Sequence, residues 1–293
     1  MNHQTELQGA LRCAAFLSTK RPLQMAILNV SPDSFSDGGL HTSVEAAEAQ
    51  AQMLIASGAD IIDVGGVSTR PGAPELATDD ELERIMPVLR NLRAKVQSKT
   101  LVSLDTSNPL VAEAAGQEGL IDVINDVYAA RKSTRSGSHD RTTAHIAAQF
   151  GLGLVLMHMQ GTPATMQTQP TYSNCLDEVI TFLNSRLDFA KMCGVKWCAV
   201  DPGIGFGKLL EHNLQLLSKY SFEKIQELGA PILIGLSRKS FLKQLADRQG
   251  VLPAFSTLDE ENNWRDQQSA QWEHNCAQWG ASVIRTHKIK NTL

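Results

Sequence analysis

The chain has 293 residues, with 27 Lys and Arg against 31 Asp and Glu, a net charge of −4, and 42% apolar and 5% aromatic residues. That apolar fraction with so small a charge excludes a disordered chain, and 21 Gly with 11 Pro exclude a collagen-like one. The mildly acidic balance argues against a dedicated nucleic-acid binder, and the length allows one large domain or two small ones.

Residues 1–23 read as an N-terminal cap segment with a short apolar patch at 11–17. It lacks a long apolar stretch before a small-residue cleavage site, so no signal peptide is expected. No run reaches the 18 or so apolar residues that span a bilayer. A strand is expected at 25–30 and a helix at 44–57, stopped by Gly58. A strand at 61–64 precedes a helix at 80–96, with Thr78 as N-cap, Glu81 completing a capping box and Pro87 inside. A strand at 101–104 is followed by a helix at 109–117, opened by Pro109. Next come a strand at 121–124, a loop at 133–138, a helix at 143–150 and a strand at 153–157. A helix at 176–192, a strand at 197–200 and one long helix at 210–228 follow. The last elements are a strand at 232–235, a long polar loop at 251–263, a helix at 266–278 and a strand at 282–285.

The strands are continuous apolar runs, which suit parallel strands covered by helices. Eight strand–helix units predict an α/β fold of the (β/α)8 TIM barrel type. One domain is expected over 1–293, with the barrel at 24–293. Only Thr286 to Leu293 follow the last strand, so the final C-terminal helix is expected to be missing or shortened. The patch at 7–17 is the candidate to cover that face. The five cysteines form no CxxC pair, as expected of free thiols in a reducing compartment, and no Cys/His cluster suggests zinc.

Active sites of such barrels lie at the C-terminal ends of the strands. There the chain places Asn29, Asp105, Asn125, Met157, Asp201, Ser237, Lys239, Arg285 and His287. Asp and Asn also end strands merely as turn formers. Asp105, Asn125, Asp201 and Lys239 converging on one mouth are harder to read as four independent caps. The loop NVSPDSFSDGG (29–39) is polar with one aromatic, and GGVSTRPG (65–72) groups backbone donors, two hydroxyls and Arg70. Arg70 suits bidentate grip of a phosphate, with Arg285 and His287 adding charge. No GxGxxG or GxxxxGK[ST] motif is present, which disfavours a dinucleotide or nucleoside triphosphate.

Taken together, LNVSPDSFSDGG (28–39), GADIIDVGGVSTRPGA (58–73), SLDTS (103–107), IND (124–126) and LMHMQGTPATMQ (156–167) are distinctive. DPGIGFGKLLEHNLQLL (201–217), GLSRKSF (235–241) and GASVIRTHKIK (280–290) complete the set. In this order the chain resembles the dihydropteroate synthases of the pterin-binding barrel family, over nearly its whole length.

The resemblance implies condensation of 6-hydroxymethyl-7,8-dihydropterin diphosphate with 4-aminobenzoate, giving 7,8-dihydropteroate and diphosphate. It implies magnesium (Mg2+) as cofactor, small-molecule substrates, sulfonamide competition, a cytoplasmic homodimer, and a cationic pterin methylene as intermediate. It assigns the pterin to Asp105, Asn125, Met157, Asp201, Lys239 and Arg285. The diphosphate falls to Asn29, Arg70, Arg285 and His287, with Asn29 also at the metal. Ser68, Thr69, Pro71, Phe206 and Ser237 shape the aminobenzoate pocket. Asp33 and Phe35 support catalysis from the first loop.

The chain departs from the pattern at Val67, where the family usually has Glu, and at Asn108, where it commonly has Lys. Val127-Tyr128-Ala129-Ala130 stands where the family normally has isoleucine or valine, serine and two small residues, often both glycine, and Lys288 replaces a frequent Asp. The alternatives are a catalytically weak pterin-binding paralogue acting as a scaffold, and a methyltetrahydrofolate-dependent methyltransferase.

Overall fold

The computed structural model describes residues 9, 12–14, 21–30, 39–67, 76–96, 99–134 and 140–290, with only the backbone described at 39–43. Eight strands share one parallel sheet: β1 Leu23–Asn29, β2 Ile61–Gly65, β3 Leu101–Asp105, β4 Val123–Asp126, β5 Gly153–Met157, β6 Cys198–Asp201, β7 Leu233–Gly235 and β8 Val283–Thr286. The order is β6-β5-β4-β3-β2-β1-β8-β7. A single parallel bridge between Val200 and Ile232 joins its two ends, so the sheet closes into a barrel.

The strand runs are apolar for two different reasons. Residues that point outward, such as Leu28, Ile62, Leu104 and Leu156, pack under the helices. Their neighbours point inward, because side chains alternate across a strand. The lower inward layer is apolar and holds Met25, Ile61, Leu101, Val123, Val155, Ala199, Leu233 and Val283. Higher up, the inward positions change character. One register line runs from Asn29 through Gly65 and Asp105 to Asn125. This polar upper layer is the floor of the candidate site.

The helices are α1 Gly39–Ala56, α2 Thr78–Lys95, α3 Pro109–Gln117, α4 Thr143–Phe150, α5 Cys175–Met192, α6 Leu210–Leu216, α7 Lys219–Gln226, α8 Phe241–Arg248 and α9 Leu258–Gln278. Three expectations about the helices are corrected. Thr78 lies inside α2, and Ala77 takes the N-cap position without a side-chain bond. The expected helix at 210–228 breaks into α6 and α7, because Ser218 caps a new helix by accepting from Ser221 N. The expected loop at 251–263 already turns helical at Leu258, where Thr257 caps Glu260 N. Helix α8 is not among the expected elements. Of the expected loop at 133–138, Ser133 bridges Thr142, and 135–139 lie outside the described residues.

The described N-terminal residues do not cover the face beside β8. Cys13 joins the lower apolar layer of the barrel. Arg12 bonds Asp122 (2.8 Å) and the Thr100 carbonyl (3.2 Å). Arg12 and Cys13 thus pack at the barrel bottom under β3 and β4. Among the described residues no helix follows β8. The tail is pinned instead: Lys290 N donates to Gln24 Oε1 (2.8 Å), Gln24 Nε2 donates to the Lys290 carbonyl (2.7 Å), and Lys290 pairs with buried Glu273 of α9. Among the described residues no helix is long and apolar enough to cross a membrane.

Candidate active site

The centre of the barrel mouth is an ion-pair chain. Arg285 of β8 donates through Nε to Asp63 (2.7 Å) and through Nη2 to Asp105 (2.7 Å). Asp63 is fully buried and also accepts from Ser103 Oγ (2.6 Å) and Asn125 Nδ2 (3.0 Å). Four strands therefore meet at one carboxylate. Gly65, beside Asp105 in the register, lies against the Asp105 side chain.

The electrostatics follow from burial. Burial pushes Asp105 up to about 7; Arg285 opposes this, while Asp63, Glu81 and Asp126 add to it. Burial also works against the charge on Arg285, but Asp63 and Asp105 outweigh it and hold the guanidinium above its ordinary value. One guanidinium shared by two carboxylates leaves the upper layer short of positive charge. A ligand donating N–H groups would meet that need.

Asp201 and Lys239 form the opposite wall. Burial raises Asp201, while Lys239 and the Gly203 N–H (2.7 Å) favour its charge. Burial lowers Lys239 to about 8, and Asp201 opposes the shift. Its Nζ donates to the Ile204 carbonyl and sits 4.7 Å from the Phe206 ring centroid. Phe206 and Tyr128 pack against Val127, Met157, Met159 and Met166, an apolar strip beside the polar floor. Ser237 Oγ lies 3.0 Å from His287 Nδ1 and accepts from His287 N (3.3 Å).

The DPGIGFGK turn is built by close backbone approach. Gly203 and Gly207 have φ of 69° and 60°, and a Cβ at either would collide with the His158 or Gln160 carbonyl oxygen. Lys208 does not reach the mouth. It is buried beneath the turn and donates to His158 Nδ1 (2.9 Å), Gly203 O (2.9 Å) and Phe206 O (3.1 Å). Burial lowers its ammonium to about 7, and burial plus Lys208 drives His158 to about 2, so the imidazole accepts. Lys208→Met leaves His158 Nδ1 and the Phe206 carbonyl without a donor, while the Gly203 carbonyl keeps the Phe206 N–H; two unsatisfied groups at about 1–3 kcal/mol each are expected to cost about 2–6 kcal/mol. Urea unfolding measures it; wild-type stability would refute this role for Lys208.

Asp105, Asn125, Met157, Asp201, Lys239 and Arg285 are brought together, with Phe206, Ser237 and His287 at the rim. Asn29 stands exposed at the end of β1, two register steps from Asp105. Asp33, Phe35, Ser68, Thr69, Arg70 and Pro71 lie outside the described residues. The root of their second loop is held by Arg84, which donates to the Gly66 carbonyl (2.6 Å). Glu81 does not build a capping box; it accepts from Thr106 Oγ1 (2.6 Å) and so ties α2 to the end of β3.

Sequence reasoning missed Asp63. Its signal was present: an acid in the middle of an apolar run, at an inward position. The departures also find places. Asn108 caps α3 by accepting from Leu110 N (3.1 Å). Tyr128 N donates to Asp126 (2.8 Å), and Arg186 holds the carbonyls of Ala129 and Ala130 (2.7 and 3.0 Å). Both alanines have left-handed φ, 52° and 57°, which those bonds sustain without glycine.

Comparison with known proteins agrees with this geometry. The family described as pterin binding enzyme matches residues 25–287. Dihydropteroate synthase of Escherichia coli K12 is 37% identical over 279 residues, covering 94% of this chain and 90% of that protein. The Xanthomonas albilineans dihydropteroate synthase structure with 4-aminobenzoic acid has a TM-score of 0.77 at 38% identity, covering 92% of this chain and 89% of that one. The same organism's enzyme with 7,8-dihydropteroate gives 0.73 at 35% identity, with 92% and 89% covered. The chain therefore belongs to the pterin-binding enzyme family, among its dihydropteroate synthases.

Proposed function

We propose that this chain joins 6-hydroxymethyl-7,8-dihydropterin diphosphate to 4-aminobenzoate in folate biosynthesis. The bond from the pterin methylene carbon to diphosphate oxygen breaks, a bond to the aryl amine nitrogen forms, and the amine loses a proton. The chain is then a transferase, and one domain carries the whole reaction. The observation that carries this reading is the buried Asp63–Arg285–Asp105 chain facing Asp201 and Lys239 across one barrel mouth.

The roles follow from the chemistry of each group. A 2-amino-4-oxo pyrimidine edge offers parallel N–H donors, which the carboxylates of Asp105 and Asp201 accept. Asn125 completes the set, Lys239 donates to the ring, and Met157 supplies an apolar face. Arg285 lies against the pterin and reaches toward the diphosphate, which Asn29, Arg70 and His287 also hold. Ser68, Thr69, Pro71, Phe206 and Ser237 shape the aminobenzoate pocket. Asp33 and Phe35 support catalysis from the first loop, in a reaction that requires exclusion of water, which would compete with the amine. Carboxylates near the ring also stabilise positive charge developing there.

Magnesium fits the donor chemistry. It takes oxygen ligands and is commonly held by one or two protein groups plus phosphates and water. The exposed Asn29 amide oxygen is such a group. Bound there, the ion would neutralise charge on the leaving diphosphate. We further propose a cytoplasmic homodimer, which analytical ultracentrifugation and fractionation test.

Asp105 must be a carboxylate and Lys239 an ammonium to bind the ring as proposed. With Asp105 near 7 and Lys239 near 8, kcat/KM for the pterin substrate is expected to rise through pH 7 and fall above pH 8. Lys239→Arg is expected to remove the alkaline limb, because its guanidinium stays charged. A wild-type profile flat from pH 6 to 9 would contradict both assignments. The direct test is turnover of the two substrates with magnesium, with and without a sulfonamide. Product formation inhibited by the drug supports the reading; pterin binding without product indicates the weak paralogue.

A further inference from the structure

Between Ser237 at the rim and Lys239 in the wall stands Arg238, whose φ of 59° is left-handed. Few non-glycine residues adopt that region without local support. The support comes from α9. Both carboxylate oxygens of Asp266 accept from Arg238, Oδ1 from Nε and Oδ2 from Nη2, each at 2.9 Å. Asp266 is buried, and the neighbouring Arg265 donates through Nη1 to the Arg238 carbonyl oxygen (3.0 Å). Arg265 is itself paired with Glu261, which also accepts from Lys243 of α8 (3.0 Å). Side chain and backbone of Arg238 are thus both clamped by consecutive residues of one helix.

We infer that Arg265 and Asp266 are positioning residues that fix Arg238 and thereby aim Ser237 and Lys239 into the site. A fork-to-fork pair sets the orientation of the guanidinium as well as its place. Rotating Arg238 out of the left-handed region would redirect the peptide units on either side of it. Lys239 would then leave the Ile204 carbonyl and the Phe206 ring, and Ser237 would leave His287. This rests on the proposed roles of Lys239 at the pterin and Ser237 at the aminobenzoate. The competing role is purely structural: the ion pair fastens α9 to the barrel and has no kinetic effect.

Glycine at 238 separates the two, because glycine holds a left-handed φ without a clamp. The experiment compares wild type, Asp266→Ala, Arg238→Gly and the double variant by steady-state kinetics and thermal melting. Asp266→Ala is expected to raise KM for both substrates by about tenfold, within the range that small misplacements of binding groups produce. The double variant is expected to return to within about threefold of wild type, since glycine relieves the strain. A lowered melting temperature with unchanged KM and kcat in Asp266→Ala overturns the inference. So does a double variant as impaired as Asp266→Ala. Asp266→Asn, of the same shape, takes the place of the alanine variant if that one does not fold. Absence of turnover in the wild type would refute the functional reading instead. The clamp is then decided by a crystal structure of the Asp266 variant: Arg238 leaving the left-handed region supports it, and retained geometry overturns it.

Discussion

Asp105→Asn is expected to reduce kcat/KM for the pterin substrate by about 10²-fold or more, while the melting temperature at pH 8 stays at or above the wild-type value. The loss follows from hydrogen-bond polarity. An ionised carboxylate only accepts, whereas the amide presents an NH2 group to a ligand edge that also donates. Two charged hydrogen bonds at about 1.5–3 kcal/mol each correspond to about 10²–10⁴ in affinity. The retained stability follows from burial. Asp105 titrates at about 7 in the folded chain against an ordinary 3.8, so between those values the folded state binds more protons than the unfolded one. Stability therefore falls as pH rises from about 4 to about 7, and the ionised group is a cost at pH 8. Asparagine removes that cost and leaves Arg285 paired with Asp63. Steady-state kinetics and calorimetric melting measure both halves. A variant that loses activity only in proportion to lost stability would show that Asp105 is a structural residue.

Most of the barrel was legible in the residues because each strand carries outward apolar positions under a helix. Leu28, Ile62, Leu104 and Leu156 mark their strands whatever the other face holds. Helix boundaries were less legible where capping is local. Thr78 and Glu81 match a capping-box spacing, yet Glu81 finds a stronger partner in the Thr106 hydroxyl across the loop. The 251–263 segment reads as loop because its apolar pattern is weak, but Thr257 caps α9 there and the Lys243–Glu261 pair ties it to α8. At the site, residues at strand ends were found because their position alone points to the mouth. Asp63 sits two residues before the end of β2, inside a run that reads as apolar. Recognising it required the inward parity of the strand and the partner on β8, 222 residues away. The clamp on Arg238 was hidden for the same reason: Asp266 lies in a later helix, and nothing in the SRK spacing announces it.

Asp63→Ala is expected to be the most disruptive single change at the site. It deletes a carboxylate that accepts from Ser103, Asn125 and Arg285 with no water-exposed surface. The loss leaves the buried Ser103 and Asn125 donors without this acceptor, at about 1–3 kcal/mol each, while Arg285 keeps only Asp105. For a chain of this size that lowers the melting temperature by about 10 °C. Activity is expected to fall further than stability does, since Arg285 can then turn both nitrogens toward Asp105 and occupy the carboxylate meant for the pterin. Asp63→Asn separates the charge from the shape. It keeps an acceptor for Arg285 and is expected to lose only about 1–3 kcal/mol. The negative charge of Asp63 helps hold Asp105 near 7, so its removal lowers that value. The acid limb of the pH profile should therefore move below pH 7 in Asp63→Asn. An acid limb unmoved from wild type would mean that Asp105 does not set it, and that the carboxylate pair does not act as one unit.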